Sequence, residues 1–375
     1  MSRSLRAGIA VSGATGFIGS HLVLALARMG APDVTPVDRG AFADVETLTK
    51  VAATHDAFVH LSARNRGAAA EVHDVNVSLA RDLVAALHRS GHRPHVLFAS
   101  STQATGDTPY GRAKRAGEQD LADWSARSGA PLTVLRIPNV YGPGARPFHN
   151  SVVATFCHQL ARGRRPRLHE DRELGLVYVG DLVARIAELL ADPPTGVRRI
   201  DLPPTDTLRV SKILAILRGH AEAFADGARV PAAASTLERR LRATFLAAVP
   251  YPDLATRPAV RADERGSLFE AVRHDAGGQV FLSTTRPGVV RGNHYHVRKT
   301  EKFCVLQGEA LVRLRRVGSA ETTEYGLSGE RPTVVDIPVL HTHNIENVGG
   351  GELRTLFWAD EVFDPGDADT YPEAV

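Results

Sequence analysis

The chain has little cysteine: Cys157 and Cys304 are its only two, far apart in 375 residues and without a partner motif. That excludes a disulfide framework, nominates neither as a nucleophile and points to a reducing compartment. No apolar run is long enough to span a membrane, and the start, Met1 to Arg6, carries no cleavable signal pattern. A cytoplasmic protein with no membrane partner is therefore expected. No internal repeat or low-complexity tract is present, and neither sign of charge dominates. Lys and Arg number 45 against 42 Asp and Glu, for a net charge of +3. Charge so scattered builds no nucleic-acid face. The densest basic run, Arg162-Gly-Arg-Arg-Pro-Arg167, is either a solvated loop or a contact to the phosphates of a nucleotide substrate.

Hydrophobic residues at 43% and charged residues at 23% describe an ordinary globular protein, long enough for two domains. To about residue 200, short β-branched runs alternate with segments of helical period, which predicts a doubly wound, Rossmann-like parallel sheet. Strands are expected at 8–12, 34–37, 57–61, 95–99 and 132–137. In the helix expected at 72–89, Val72, Val75, Leu79, Leu83 and Leu87 recur at spacings of three and four. Residues 208–247 read as helices, after which Pro250, Pro252 and Pro258 punctuate a segment that cannot continue one. The domains are accordingly placed at 1–250 and 251–375. The second has short alternating strands, expected at 279–283, 302–306, 310–314, 333–337 and 353–358, and reads as a small all-β barrel or jelly roll.

The first strand runs into Ser12-Gly13-Ala-Thr-Gly16-Phe17-Ile18-Gly19, which opens a helix. Gly13 suits a tight turn, Gly16 a close approach to a pyrophosphate at the helix N-terminus, and Gly19 close helix–strand packing, so a dinucleotide is the expected ligand. The second strand ends at Asp38-Arg39. An acid there suits ribose hydroxyls and a guanidinium suits a 2′-phosphate, leaving NAD and NADP both open, and Asp38 is alternatively a turn residue.

Tyr110-Gly-Arg-Ala-Lys114 sets a phenol and an ammonium on one helical face, after Ser100-Ser101-Thr102 at a strand end. The cation should lower the phenol pKa, so that Tyr110 protonates a carbonyl oxygen as hydride is delivered, with Ser101 or Thr102 holding that oxygen.

In the last third, Gly292-Asn-His294-Tyr-His296 is followed by Glu301, and Pro338-Val-Leu-His341-Thr-His343 by Asn347. Three imidazoles and a carboxylate, His294, His296, Glu301 and His343, suit a divalent metal, zinc by preference, with iron, nickel or manganese open. Candidate bases near it are His341, Lys302 and Tyr295.

The glycine loop, the serines and the Tyr-x-x-x-Lys pair resemble the extended short-chain dehydrogenase/reductase family. So do Arg136-Ile-Pro-Asn139-Val-Tyr-Gly142-Pro and Val177-Tyr-Val-Gly-Asp181. The two histidine motifs resemble those of cupins, with Leu340 standing where a glycine is common. Joined in one chain, and with Leu61-Ser-Ala-Arg-Asn65-Arg, Asn150-Ser-Val-Val-Ala-Thr-Phe156, Asp263-Glu-Arg-Gly266-Ser and Phe363-Asp-Pro365, they resemble the CapF-type bifunctional capsular-polysaccharide enzymes from end to end. The resemblance implies that Phe17, Ile18 and Leu61 join the glycines, Asp38 and Arg39 at the cofactor. It also implies substrate contacts from Asn65, Asn139 and Asn150, to which the basic run adds Arg167. It implies a homodimer using NADPH, with NADH open, on a UDP-linked 2-acetamido-2,6-dideoxy-4-ketohexose. The cupin would epimerise C3, and the first domain would then reduce C4 to a 6-deoxy-talosamine nucleotide. The alternative is a single-function 4-ketoreductase whose cupin only dimerises or senses a ligand.

Overall fold

Ile9–Ser12 (β1) is buried along its whole length, which is why it reads as an unbroken apolar run rather than an alternating one. The computed structural model describes residues 8–361 and 366–375, apart from 32, 228, 233, 258–260, 264–265, 269–272 and 275–278. Met1 to Arg6, Pro258, Glu264 and Arg265 of the Asp263–Ser267 stretch, and Phe363-Asp-Pro365 lie outside the described residues. Val34–Val37 (β2), Ala57–His60 (β3), His95–Ser101 (β4), Leu132–Ile137 (β5) and Val197–Asp201 (β6) join β1 in a six-stranded sheet ordered β2-β1-β3-β4-β5-β6. Every pairing in it is parallel. The chain leaves β1 in one direction to β2 and returns past it to β3, so the carboxyl ends of β1 and β3 flank the switch point where such sheets bind ligands.

Among the helices are Phe17–Arg28 (α1), Ala69–Ser90 (α2), Pro109–Ser128 (α3), Val152–Leu160 (α4), Val179–Ala191 (α5), Val210–Asp226 (α6) and Thr236–Leu246 (α7). Strand alternation sends Ile9, Val11, Val59 and Leu97 into one core with Leu22 and Leu26 of α1 and Leu182 and Ile186 of α5. Ala10, Phe58, Val96 and Phe98 face a second core with Leu83 and Leu87 of α2 and Leu121 and Trp124 of α3. Each large apolar side chain buried this way contributes about 1.5–3 kcal/mol. The sheet is thus covered on both faces, as doubly wound folds require.

The C-terminal strands are Gln279–Thr285 (β7), Val290–Tyr295 (β8), Glu301–Gln307 (β9), Glu309–Arg316 (β10), Thr322–Ser328 (β11), Val334–Ile337 (β12), His341–Asn347 (β13) and Leu353–Ala359 (β14). They form two antiparallel five-stranded sheets: one runs Ala255–Thr256, β12, β9, β14, β7, and the other runs β11, β10, β13, β8, Tyr371–Pro372. This is the all-β second part expected from the alternating strands, and it suits the cupin resemblance of the histidine motifs.

The chain divides into two compact units: Met1–Tyr141 with Phe148–Ser151 and Glu173–Leu208, and Gly142–Pro147 with Val152–Arg172 and Arg209–Val375. Helices α4, α6 and α7 therefore group with the β-rich part, and residue 250 lies inside the second unit. A buried cation explains part of this. Arg242 of α7 donates to Thr300 Oγ1 (2.8 Å) and lies over the Trp358 ring at 5.6 Å, tying the helix to the strands. Helical period reveals that a helix exists but not which sheet it packs on.

Candidate functional site

At the end of β1 the Ser12 hydroxyl lies 2.9 Å from His60 Nδ1 and accepts from the N–H groups of Leu61 (3.2 Å) and Ser62 (3.3 Å). The glycine loop is thereby tied to the end of β3. Gly13 has φ of +71°, and Gly19 packs so tightly that a Cβ would lie 2.0 Å from the Gly13 carbonyl oxygen. Neither position tolerates a side chain. Gly16 begins α1 with no side-chain cap, which leaves the positive helix end to an anion. Phe17, Ile18 and Leu61 pack their half-buried side chains on the core beneath this loop. The cradle fits a pyrophosphate, and a bound nicotinamide dinucleotide would supply hydride chemistry there. Asp38 Oδ1 accepts from Ala41 N–H (3.0 Å) as the cap of a short helix, which leaves its other carboxylate oxygen uncommitted; Arg39 starts that helix and is exposed.

Tyr110 and Lys114 lie in the first turns of α3, which Thr108 caps by accepting from Gly111 N–H (3.0 Å). The Lys114 ammonium sits 5.7 Å from the Tyr110 ring centre and donates to the Ala99 carbonyl (2.7 Å). Burial pushes Lys114 down to about 8, against an upward pull from Glu118. Burial also pushes the Tyr110 phenol up to about 12. That corrects the expectation of a lowered phenol: desolvation outweighs a cation that is itself desolvated and turned to a backbone carbonyl. Ser100 is engaged elsewhere, donating to Glu118 Oε1 (2.5 Å). Arg136 in turn grips Glu118 through two bonds of 2.9 and 2.7 Å. Burial alone would raise Glu118, but hydrogen bonds from Arg136 and Ser100 hold it below the usual range. Ser101 accepts from Gln103 N–H (3.2 Å) and Thr102 is exposed, so both hydroxyls remain able to donate. Glu118 escaped the sequence reading, although its place one helical turn after Lys114 was a usable signal.

Of the residues assigned to substrate, Asn65 is half-buried and its Oδ1 is buried with no hydrogen-bond partner. Asn139 donates to the Gly175 carbonyl (3.4 Å) and is exposed, as are Asn150 and Arg167.

In the β-rich unit, His294 and His343 are register partners on β8 and β13, while Glu301 opens β9 in the other sheet and His296 follows β8. A bulge between Gly292 and His294, with Asn293 at φ 57°, turns the histidines inward. The ligand-type atoms of His294, His296, Glu301 and His343 all lie within 4.8 Å of one another. His296 Nε2 and His343 Nε2 approach Glu301 Oε2 at 3.2 and 3.4 Å, yet both are buried without an aligned hydrogen-bond partner. Such orphaned lone pairs, converging on one carboxylate, fit a divalent cation. Their other nitrogens are occupied: His296 Nδ1 by the Asp369 carbonyl (2.6 Å) and His343 Nδ1 by that of His341 (3.2 Å). This arrangement turns Nε2 to the site. Burial, then the neighbouring imidazoles, pushes His294 down to about 4, which keeps it neutral at pH 7. Burial would raise Glu301, but the His296 and His343 imidazoles hold it well below the carboxylate range. Leu340, where the motif favours glycine, takes the left-handed φ of 58° that explains the preference.

Two candidate bases are corrected. Lys302 follows Glu301 on β9 and so faces the opposite side, paired with Asp336 at 2.9 Å. Tyr295 likewise faces away from His294 and lies against Tyr371, ring centres 5.5 Å apart. His341 shares a strand face with His343, and its Nε2 meets the Tyr251 hydroxyl at 2.9 Å.

The model of the NAD dependent epimerase/dehydratase family matches residues 9–201, and that of the polysaccharide biosynthesis C-terminal domain matches 261–371. A UDP-2-acetamido-2,6-beta-L-arabino-hexul-4-ose reductase of Pseudomonas aeruginosa is 33% identical over 97% of each chain. The crystal structure of the capsular polysaccharide assembling protein CapF from Staphylococcus aureus is 34% identical, with a TM-score of 0.63, over 98% of this chain and 100% of that one. A UDP-N-acetylglucosamine 4-epimerase from Bacillus cereus, 21% identical with a TM-score of 0.51 over 58% of this chain and 82% of that one, shares the fold of the first part. On this evidence the chain belongs to the NAD dependent epimerase/dehydratase family, in the CapF-type architecture that adds a polysaccharide biosynthesis C-terminal domain.

Proposed function

We propose that the chain acts twice on one nucleotide sugar: epimerisation at C3 in the cupin, residues 251–375, then reduction at C4 in the reductase domain, residues 1–250. The proposed substrate is a UDP-linked 2-acetamido-2,6-dideoxy-4-ketohexose, the reductant NADPH and the product a 6-deoxy-talosamine nucleotide, made in the cytoplasm by a homodimer. The observation that carries this reading is the end-to-end likeness, 97% of each chain, to a reductase named for such a 4-ketose.

In the reductase, the Tyr110 hydroxyl gives its proton to the C4 oxygen as the carbonyl becomes an alcohol, and Ser101 or Thr102 donates to that oxygen to orient it. Asn65, with its unsatisfied Oδ1, is proposed to hold the sugar, and Asn139, Asn150 and Arg167 to complete its binding. In the cupin, His294, His296, Glu301 and His343 would hold a divalent ion, zinc by preference, whose chemistry there would be to polarise the 4-keto oxygen. The acidified C3 proton leaves to a base and returns to the opposite face. With Lys302 and Tyr295 turned away, His341 and its partner Tyr251 are left for that task.

The test is incubation with UDP- and dTDP-linked 4-keto-6-deoxy sugars and each nicotinamide, following absorbance at the reduced-cofactor band and the sugar configuration at C3. Turnover of the UDP-linked 2-acetamido sugar is expected to be fastest. No oxidation of either cofactor with any of these sugars would overturn the proposal. The departure of two candidate bases favours one second reading, a reductase with a non-catalytic cupin, and reduction without solvent deuterium at C3 would establish it.

A pH profile follows from the buried ammonium. Lys114 keeps its charge below about 8 and loses it above, while Tyr110 stays protonated to about 12. Thus kcat/KM for reduction should fall as pH rises through the lysine value, with the phenol still intact as acid. Lys114 is proposed to favour, by its charge, the phenolate left as Tyr110 gives up its proton, and a profile flat across that range would contradict this role.

A further inference from the structure

The four-residue segment between His296 and Glu301 is held by two carboxylates. Asp369 Oδ1 accepts from Val297 N–H (3.2 Å), and its Oδ2 accepts from Arg298 and Lys299 N–H (both 2.9 Å). Asp360 Oδ1 accepts from the next one, Thr300 N–H (2.9 Å). Every backbone donor between the two proposed ligands is thereby satisfied, in a region where an unpaired one would be costly. Asp369 does more than clamp the loop, because its own carbonyl oxygen receives His296 Nδ1 at 2.6 Å. It is 3% exposed and has φ of 44°, a left-handed conformation that few residues other than glycine adopt. Such a conformation persists where the surroundings over-determine it. Here the carboxylate fixes the residue from one side and the histidine from the other. The segment is further pinned by Lys299 Nζ, which donates to the Ala368 carbonyl (3.0 Å) and Thr370 Oγ1 (3.2 Å).

We infer that Asp369 is a positioning residue of the metal centre: its carboxylate anchors the loop from His296 to Glu301, and so aims its carbonyl at His296 Nδ1 and turns Nε2 to the ion. This rests on the metal-site reading above. The alternative is a clamp that only fastens the C-terminal segment to the loop.

The two are separated in the full-length protein by zinc affinity, measured by competition with a fluorescent chelator, and by the visible spectrum of the cobalt-substituted form. Asp369→Asn keeps the side-chain size but sets an amide against the loop N–H groups, and Asp369→Gly keeps the backbone conformation without the carboxylate. Both should weaken zinc binding about 10- to 100-fold and alter the cobalt bands, as loss of outer-shell partners does. Asp367→Asn, which removes an exposed partner of Arg298 (3.0 Å), should leave both unchanged. Native circular dichroism with unaltered zinc affinity and cobalt bands in the two Asp369 variants would overturn the inference. Should the glycine variant not fold, the asparagine variant decides. A wild-type chain that takes up no zinc or cobalt would instead remove the metal-site reading, and this inference with it.

Discussion

Tyr110→Phe is expected to lower NADPH-dependent reduction by about 10²- to 10⁴-fold, the usual worth of a positioned general acid. Solvent deuterium should still enter C3 of the keto sugar. The phenol proton sits high, about 12, because the ring is desolvated, so in the proposed reduction Tyr110 would keep its proton until the C4 oxygen gains charge. Two neighbours are not placed to take over this proton transfer: Ser100 is tied to Glu118, and the Lys114 ammonium points at the Ala99 carbonyl. Phenylalanine fills the same space, and the Tyr110 hydroxyl makes no hydrogen bond among the described residues, so stability should change by no more than about 0.5 kcal/mol. Cofactor-oxidation kinetics and proton NMR of the recovered sugar check both halves. Loss of C3 exchange together with reduction, in a folded variant, would count against separate centres.

The converse variant, His296→Ala, should abolish C3 exchange, by about 100-fold or more since the ion's polarisation is worth several kcal/mol. Reduction of a substrate already epimerised at C3 should continue. His296 is 1% exposed and one of four groups whose ligand-type atoms lie within 4.8 Å, so in the proposed metal site its loss would remove a full ligand rather than a peripheral contact. The stability signature differs as well. Zinc at 100 times its Kd should stabilise the wild-type chain by about 2.7 kcal/mol, and a chain that cannot hold the ion by close to nothing. Differential scanning fluorimetry with and without zinc measures this. An equal rise in melting temperature for both proteins would mean that zinc binds elsewhere.

Much of this architecture was present in local pattern, because the determining contacts are short in sequence. Gly13 and Gly19 crowd each other across six residues, the apolar stripe of α2 repeats every turn, and His294, His296 and Glu301 span eight positions around one bend. Spacing alone encodes geometry of that kind. The strands and the two-part fold were legible for the same reason: alternation and continuous apolar runs follow directly from which faces are buried.

Tertiary structure decided whatever depends on burial or on partners distant along the chain. Asp369 lies 73 residues from the imidazole it holds, and no spacing rule joins them. Ser100 looks as available as Ser101 until Glu118 and Arg136 arrive from α3 and β5 to claim it. The phenol's proton affinity rose instead of falling because solvent exclusion is a property of the assembled core. Lys302 and Tyr295 stand beside ligands in sequence but across the sheet from them in space, since a pleated strand sends neighbours to opposite faces. Helices α6 and α7 are plain in the sequence, yet their companion sheet is chosen by contacts such as that of Arg242 with Thr300, 58 residues away. The sequence by itself determined which elements and ligand types this protein has. Only the folded chain decided which are dry, which are already engaged and which face one another, because desolvation and long-range pairing exist only once the chain is packed.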